Sequence, residues 1–203
     1  MQFAPDTVMP ADIGTDWRQG MQKPLLWEGS WGEAAEMGLP ELTPAWRMAL
    51  LSAASVSRHL ELVTGQDVET DCFEQVDVGM DVDGLPEHAA VIPGPRSQRE
   101  VHLVVKGMAL VCASTWWNTQ QIARYLSGAP KPLWIKLSAD CTELFSEMTS
   151  LYCGYSPDLE RRFGHEGPFW GREYIFWRDG QPVTLINEIF SPALEEYLGP
   201  MHV

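Results

Sequence analysis

FWGREYIFWRDGQPVTLINEIFSP, residues 169–192, is the stretch that decides the fold. Two runs rich in aromatic and β-branched residues flank Asp179-Gly180, a dipeptide that favours a two-residue turn between antiparallel strands. The second run carries a single carboxylate, that of Glu188, among apolar neighbours. A buried charge is costly unless it is paired, so an acid in such a strand indicates either a salt bridge or a small enclosed pocket.

A second hairpin is predicted over REVHLVVKGMALVCASTWW, residues 99–117, with its turn at Lys106-Gly107. Successive side chains of a strand point to opposite faces, so Arg99 shares a face with the apolar Val101 and Leu103. A guanidinium keeps its proton, and an inward arginine therefore needs an anionic partner. That partner is either a structural carboxylate or a bound ligand, and both alternatives remain open at this level.

The two turns also predict which residues lie opposite one another. If each loop has two residues, Val105 pairs with Met108 and Arg178 pairs with Gln181. Counting back from the turns gives three further pairs: Arg99 with Ser114, Tyr174 with Leu185, and Arg172 with Asn187.

Glu188 has two interpretations. In the first, its carboxylate pairs with Arg172 or Arg99 across the sheet and has a structural role. In the second, it faces an apolar site, where desolvation raises the pKa of a carboxyl and allows the protonated group to act as a general acid.

The rest of the chain predicts an α+β domain built on an antiparallel sheet. TPAWRMALLSAASVSRHLELVTG predicts one long helix, with Thr43 as its N-cap and Gly65 as its C-terminal stop. Residues 118–165 read as mainly helical, and the acidic, Gly- and Pro-rich segment 77–98 reads as a loop or flap. We expect residues 1–38 to form a Trp-, Pro- and Gly-rich arm and residues 39–203 to form a single domain.

Composition narrows the function classes. The 203-residue chain has a formal net charge of −14 and no run of Lys or Arg, which argues against nucleic acid as a partner. No apolar run approaches the roughly 20 residues of a membrane span. The N-terminus lacks the pattern of a secretory signal, and the four separated cysteines read as free thiols, so we expect a cytoplasmic protein. The five histidines show no ligand spacing that predicts a metal site.

Three blocks resemble the chorismate lyase family: residues 39–61 with the entry LPELTP, residues 99–115, and the closing hairpin with its Trp-x-Arg and Asn-Glu-Ile-Phe-Ser-Pro motifs. The resemblance implies an antiparallel sheet of about six strands with helices packed on one side. It also implies a monomer that encloses a small carboxylate substrate and needs no metal or organic cofactor. Members of the family remove pyruvate from chorismate to give 4-hydroxybenzoate, the first step toward ubiquinone.

The resemblance also assigns roles by position. Arg99 would hold the ring carboxylate, and Glu188 would lie near the ether oxygen and the emerging 4-hydroxyl, which makes these two the expected catalytic residues. Val56 and Leu133 would line the pocket. Ser114 stands where well-known members have an arginine, so recognition of the enolpyruvyl carboxylate would fall to another cation, with Arg172 as one candidate.

A binding module is the alternative to an enzyme. The same fold occurs in effector-sensing domains of bacterial transcription regulators, in which a pocket binds a ligand without a reaction. This chain lacks a basic recognition helix near its N-terminus, and its closing hairpin is more similar to that of the lyases.

Overall fold

The computed structural model of the chain describes residues 17–18, 20–37, 39, 41–80, 85–126 and 144–202. Seven strands lie in these residues: β1 (Trp27–Ser30), β2 (Glu69–Gly79), β3 (Arg96–Val105), β4 (Met108–Asn118), β5 (Phe145–Gly154), β6 (Phe169–Arg178) and β7 (Gln181–Phe190). They form one antiparallel sheet in the order β1-β5-β6-β7-β4-β3-β2.

Six α-helices lie in the same residues: α1 (Trp31–Met37), α2 (Pro44–Leu51), α3 (Val56–Thr64), α4 (Thr119–Leu126), α5 (Pro157–Phe163) and α6 (Glu195–Leu198). Two short 3-10 helices, Glu87–Val91 and Pro192–Leu194, complete the described elements. The second of these begins where Ser191 accepts a hydrogen bond from the backbone N–H of Ala193.

The sheet has two faces that differ in their residues. The front face carries one row across β3, β4, β7 and β6 that consists of Val101, Ala113, Glu188 and Arg172. The back face carries the neighbouring row, which consists of Glu100, Ser114, Asn187 and Glu173. Each row follows from the strand register, because residues directly opposite one another project from the same face.

Helices α2 and α3 pack on the front face. Trp46 and Leu50 of α2 and Leu60 of α3 form one buried cluster with Val111 and Phe190 of the sheet. The α+β prediction, with an antiparallel sheet and helices packed on one side, is confirmed, and the short helix α5 is an addition on the other side. The sheet has seven strands instead of about six, because residues 27–30 of the N-terminal arm add β1 at one edge.

Shorter segments cover the back face. Leu159 and Phe163 of α5 pack against Cys112 and Ile189, together with Trp17 of the arm. Ala89 and Ile92, from the segment predicted as a loop or flap, pack against Trp116 of the same face. This part of the segment therefore lies on the opposite side of the sheet from Glu188.

Both predicted turns are confirmed. Lys106-Gly107 and Asp179-Gly180 have positive φ at both residues, as the type I′ hairpin turn requires. The pairs next to the turns are also as predicted, Val105 with Met108 and Arg178 with Gln181.

The registers farther from the turns were predicted wrongly by one residue. β4 and β7 each contain one extra residue near the turn, Leu110 and Val183 respectively. Both extra side chains are buried, so each bulge places two consecutive side chains in the core where a regular strand would place one. As a result the observed pairs are Arg99 with Thr115, Tyr174 with Ile186, and Arg172 with Glu188.

The predicted long helix is two helices. The chain leaves the helical conformation at Ser52, which is extended, and α3 begins after Ser55. The predicted ends are confirmed: Pro44 begins α2, and Gly65 ends α3 in the left-handed conformation. Residues 145–154 form a strand, β5, within a segment that was predicted as mainly helical.

Candidate functional site

An ion pair lies at the centre of the front face. Nε of Arg172 donates to Oε2 of Glu188 at 2.7 Å, and the two side chains are 1% and 4% exposed. The guanidinium cannot lose its proton, so a carboxylate is the counter-ion that its burial requires. Of the two interpretations of Glu188, the structure therefore contains the paired carboxylate.

Arg172 also binds the end of helix α2. Its Nη1 donates to the carbonyl oxygens of Ala49 at 3.1 Å, Leu50 at 3.3 Å and Ser52 at 2.6 Å. The last carbonyls of a helix lack partners within it and carry partial negative charge, which a cation offsets. A helix that continued through residue 55 would use the carbonyls of residues 49 and 50 itself. The break between α2 and α3 thus makes the contact with Arg172 available.

Tyr174 holds the other oxygen of Glu188. Its hydroxyl donates to Oε1 at 2.8 Å, and its ring lies 5.4 Å from the Arg172 guanidinium. Burial and the neighbouring Glu188 carboxylate raise the pKa of Tyr174 well above its ordinary value. The hydroxyl therefore remains protonated and acts as a hydrogen-bond donor.

His59 of helix α3 faces the same ion pair. Desolvation and the positive charge of Arg172 lower the pKa of His59, and the charge of Glu188 opposes this shift. The half-buried imidazole is therefore biased toward its neutral form. A neutral imidazole has one hydrogen-bond donor and one acceptor, so His59 can act as either beside Glu188.

Arg99 and Glu188 both lie on the front face, Arg99 on β3 and Glu188 on β7, with β4 between them. The residue of β7 in line with Arg99 is Ile186, two residues before Glu188. Strand geometry sets the Cα atoms of Arg99 and Glu188 about 12 Å apart. Between them the sheet presents short or branched side chains: Val101, Ala113, Thr115 and Ile186.

These four residues, together with Val56, Tyr174 and Glu188, are buried but each keeps 3–8% of its surface exposed. In the next row Val111 and Phe190 are at most 1% exposed. We call this region of the sheet, between Arg99 and Glu188, the front-face crevice.

Ser114 is not part of the front-face crevice. It lies opposite Asn187 and Glu100, so its side chain projects from the back face, where it accepts a hydrogen bond from Nε2 of Gln98 at 2.9 Å. The expectation that Ser114 lies opposite Arg99 is wrong because of the extra residue in β4. Thr115 occupies that position, and its hydroxyl donates to the backbone carbonyl of Arg99 at 3.1 Å.

Val56 begins helix α3 and is buried in the cluster that covers the front face. His59 lies three residues farther along, so the two side chains point to the same side of the helix. Leu133, the other residue expected to line the pocket, lies outside the described residues.

The back face holds a separate set of polar contacts. Nδ1 of His88 contacts Oε1 of Glu173, which also accepts from the hydroxyl of Thr149 at 3.1 Å. The hydroxyl of Tyr152 donates to Oδ1 of Asn187 at 2.5 Å. Nδ2 of Asn187 is buried and has no hydrogen-bond partner among the described residues.

A second ion pair lies farther along the back face. Nη1 of Arg162 contacts Oε1 of Glu100 at 2.5 Å, and its Nε contacts Asp158 at 2.8 Å. The guanidinium lies 4.8 Å from the ring of Trp17, so the arm and α5 meet over this pair. Cys112, on the same face, is a free buried thiol.

The described residues contain neither a metal-binding cluster nor a membrane-spanning helix. Within the described ranges, no three His, Cys, Asp or Glu side chains come together in a way that could hold a metal ion. The helices of those ranges include none with the length and apolar character needed to cross a membrane.

Sequence reasoning missed Tyr174, His59 and Thr115. Tyr174 was within reach of the alternation argument, because it is two residues from Arg172 and therefore on the same face. Finding that Thr115 lies opposite Arg99 required the register of β3 and β4, which depends on the bulge at Leu110. His59 carries no sequence signal beyond its three-residue spacing from Val56.

Comparison with known proteins identifies the family. Residues 50–198 match the family model described as chorismate pyruvate-lyase Rv2949c-like. The uncharacterized protein ycf21 of Pyropia yezoensis is 33% identical over 158 residues, which cover 75% of this chain and 83% of that protein. The protein of the same name in Cyanophora paradoxa is 26% identical over 151 residues, 74% of this chain and 78% of its own length.

A solved structure shares the fold. The effector domain of PhnF from Mycobacterium smegmatis aligns with a TM-score of 0.55 over 71% of this chain and 92% of that domain, at 13% sequence identity. Such low identity supports the fold alone, whereas the family match covers most of the chain, including both hairpins and the front-face crevice. The chain belongs to the Rv2949c-like chorismate pyruvate-lyase family.

Proposed function

We propose that the protein is a lyase that converts chorismate to 4-hydroxybenzoate and pyruvate in the front-face crevice, without a cofactor. The observation that carries this proposal is the placement of Arg99 and Glu188 at opposite ends of a partly accessible patch of short side chains. A mostly apolar region bounded by a cation and a carboxylate suits a ring that carries a carboxylate at one end and a hydroxyl at the other.

Arg99 is the group we assign to the ring carboxylate. Its guanidinium offers a planar set of donors that matches a carboxylate in two parallel hydrogen bonds. Arg99 is half-buried, so part of its surface remains exposed to solvent. In a chain with a net charge of −14, such a local cation is needed to attract a dianionic substrate.

Glu188 is the group we assign to the 4-hydroxyl. A carboxylate has about four lone-pair sites, of which Arg172 and Tyr174 occupy two, so it can still accept a hydrogen bond from the ligand. This role uses the charged carboxylate, whereas the general-acid role considered from the sequence would require a proton on a group that neutralises Arg172. We therefore assign Glu188 as an acceptor that orients the substrate.

The reaction itself needs little chemical assistance beyond orientation. The ether bond to the ring breaks, a ring hydrogen is lost, and the departing enolpyruvate gains a hydrogen to become pyruvate while the ring becomes aromatic. Holding the enolpyruvyl group in the reactive conformation and excluding water are the contributions that such a site makes. Arg172 acts through Glu188 and the α2–α3 corner in this proposal, and Val56 covers the crevice.

The test is direct. Purified protein is incubated with chorismate, and 4-hydroxybenzoate and pyruvate are followed by chromatography. Arg99→Ala should abolish most of the turnover. Arg161→Ala is the matched control, because it removes the same charge from an exposed position on α5 and should leave turnover unchanged.

The second candidate is a binding protein without a reaction. The occupation of both Glu188 oxygens by protein donors favours it. Binding of 4-hydroxybenzoate that is lost in Arg99→Ala, with no release of pyruvate from chorismate, would establish this candidate and reject the lyase.

A further inference from the structure

We infer that Tyr174 is a positioning residue of the front-face crevice, which fixes the Glu188 carboxylate in the orientation that accepts a hydrogen bond from the ligand. The inference rests on the proposed function, since it specifies how Glu188 performs its role. Neither the family match nor the sequence motifs assign a role to Tyr174.

The first step is the geometry of the carboxylate. Arg172 holds Oε2 at 2.7 Å, and a single contact of this kind leaves a carboxylate free to rotate about its last bond. Tyr174, which lies two residues after Arg172 on β6, donates to Oε1 at 2.8 Å. With one donor on each oxygen, the plane of the carboxylate is fixed, and the lone pairs that remain have set directions.

The second step is the position of Tyr174. Its row on the front face runs through Ile186 and Thr115 to Arg99, so its ring lies in the row that leads to the proposed carboxylate anchor. It keeps 6% of its surface exposed, although its hydroxyl is committed to Glu188. Tyr174 therefore borders the crevice while its hydrogen bond points to one end of it.

The third step concerns protonation. Burial and the negative charge of Glu188 keep the phenol protonated, so the hydrogen bond has one direction, from tyrosine to carboxylate. Among the described residues, the other ionisable groups that face this pair are Arg172 on β6, His59 on α3 and, farther along the row, Arg99 on β3. A donor on a carboxylate favours its charged form, which is the form that accepts from a hydroxyl.

The back face supplies a matched control. Tyr152 donates to Oδ1 of Asn187, the residue beside Glu188, so Tyr152→Phe and Tyr174→Phe each delete one hydroxyl that bonds to β7. The two variants should unfold at similar temperatures. Tyr174→Phe should lower kcat about tenfold or more with little change in KM, because it loses a hydrogen bond to a charged group. Tyr152→Phe should leave kcat unchanged, because its hydroxyl bonds to Asn187 on the back face.

Three outcomes would decide against parts of the scheme. Equal effects of the two variants on kcat would overturn the role of Tyr174 while leaving the lyase intact. If the wild type binds 4-hydroxybenzoate without turnover, the proposed reaction is rejected, but calorimetry can still test the role of Tyr174. The affinity for 4-hydroxybenzoate must then fall in Tyr174→Phe and stay unchanged in Tyr152→Phe. Any other result rejects the inference. Absence of both turnover and binding in the wild type would overturn the proposed function and this inference together.

Discussion

The two faces of the closing hairpin differ in how they bury charge. On the front face, Arg172 and Glu188 form a pair that is almost fully buried and is tied to the end of helix α2. On the back face, the adjacent Glu173 contacts the partly exposed His88, and Asn187 accepts a hydrogen bond from Tyr152. Adjacent residues of the same two strands therefore serve different purposes.

The difference indicates which face of the sheet has the features of a binding site. A buried ion pair is weak evidence for added stability, because desolvation offsets much of the attraction between its charges. Its retention on the front face, beside a crevice, is a feature expected of a binding site. On the back face, the side chain of His88 is one third exposed, and it can exchange its proton with water. The contrast leads to four predictions, in order of decreasing effect.

The largest effect should come from breaking the front-face pair. Arg172→Met leaves the Glu188 carboxylate buried without its cation and leaves helix α2 carbonyls without a donor. We expect a loss of about 3–5 kcal/mol in the free energy of unfolding, measured by urea denaturation. The double variant with Glu188→Met should recover part of that loss, since no uncompensated charge remains.

The matched back-face variant is Arg162→Met, which removes the cation beside Glu100. The Arg162 side chain is 16% exposed, against 1% for Arg172, so water can enter the space that it leaves and solvate Glu100, whose own side chain is 6% exposed. The loss should be smaller, about 1–3 kcal/mol. A loss as large as that of Arg172→Met would show that the two faces bury charge equally and would remove the contrast.

A smaller effect is expected from filling the space beside Tyr152. A Cβ added at Gly171 would lie 2.4 Å from the Tyr152 ring and 2.6 Å from Ile189. Gly171→Ala should therefore displace Tyr152 from Asn187 and cost about 1–3 kcal/mol in unfolding free energy, as overpacking does. Because the clash lies on the back face, the affinity for 4-hydroxybenzoate should change little. A large loss of affinity would mean that the back face also shapes the crevice.

The smallest effects concern pH, and the two faces should respond in opposite directions. The hydrogen bond to Glu173 raises the pKa of His88, so its stabilisation is present below the ordinary histidine pKa and is lost as pH rises through the folded value. Desolvation and Arg172 lower the pKa of His59, so folding is weakened as pH falls from the ordinary histidine pKa toward the folded value.

Unfolding temperatures measured as a function of pH test this pair. His88→Gln should remove the decline on the alkaline side, and His59→Gln should remove a decline on the acid side. The same pH profile in both variants and the wild type would show that neither histidine is linked to folding.

Much of the fold was predictable because its signals are local. The Asp-Gly and Lys-Gly turns, the alternation of the flanking strands, and the ends of α2 and α3 at Pro44 and Gly65 follow from conformational preferences of a few residues. β5 was missed because its Ser, Thr and Glu residues lack the alternation that marks a half-buried strand. β1 was missed for a similar reason, since four residues of an edge strand give little pattern.

The candidate site was predictable in part. Strand alternation placed Arg99 on an apolar face and marked Glu188 as unusual before any partner was known. It could not identify Thr115 as the residue opposite Arg99, since the register depends on the bulge at Leu110. His59 was also out of reach, because nothing local indicates that α3 lies over the ion pair.

Both hairpins, the face on which each strand side chain lies relative to its neighbours, and the two unusual charges follow from the amino-acid sequence. The pairing of Glu188 with Arg172 follows only from the folded structure. That contact depends on an extra buried residue in β7 and on a helix break more than a hundred residues away, whose carbonyls hold the same guanidinium. Turns and alternation depend on neighbouring residues, whereas bulges and helix breaks depend on how the layers pack. For that reason the residues of the site were visible in the sequence, while their partners became visible only in the fold.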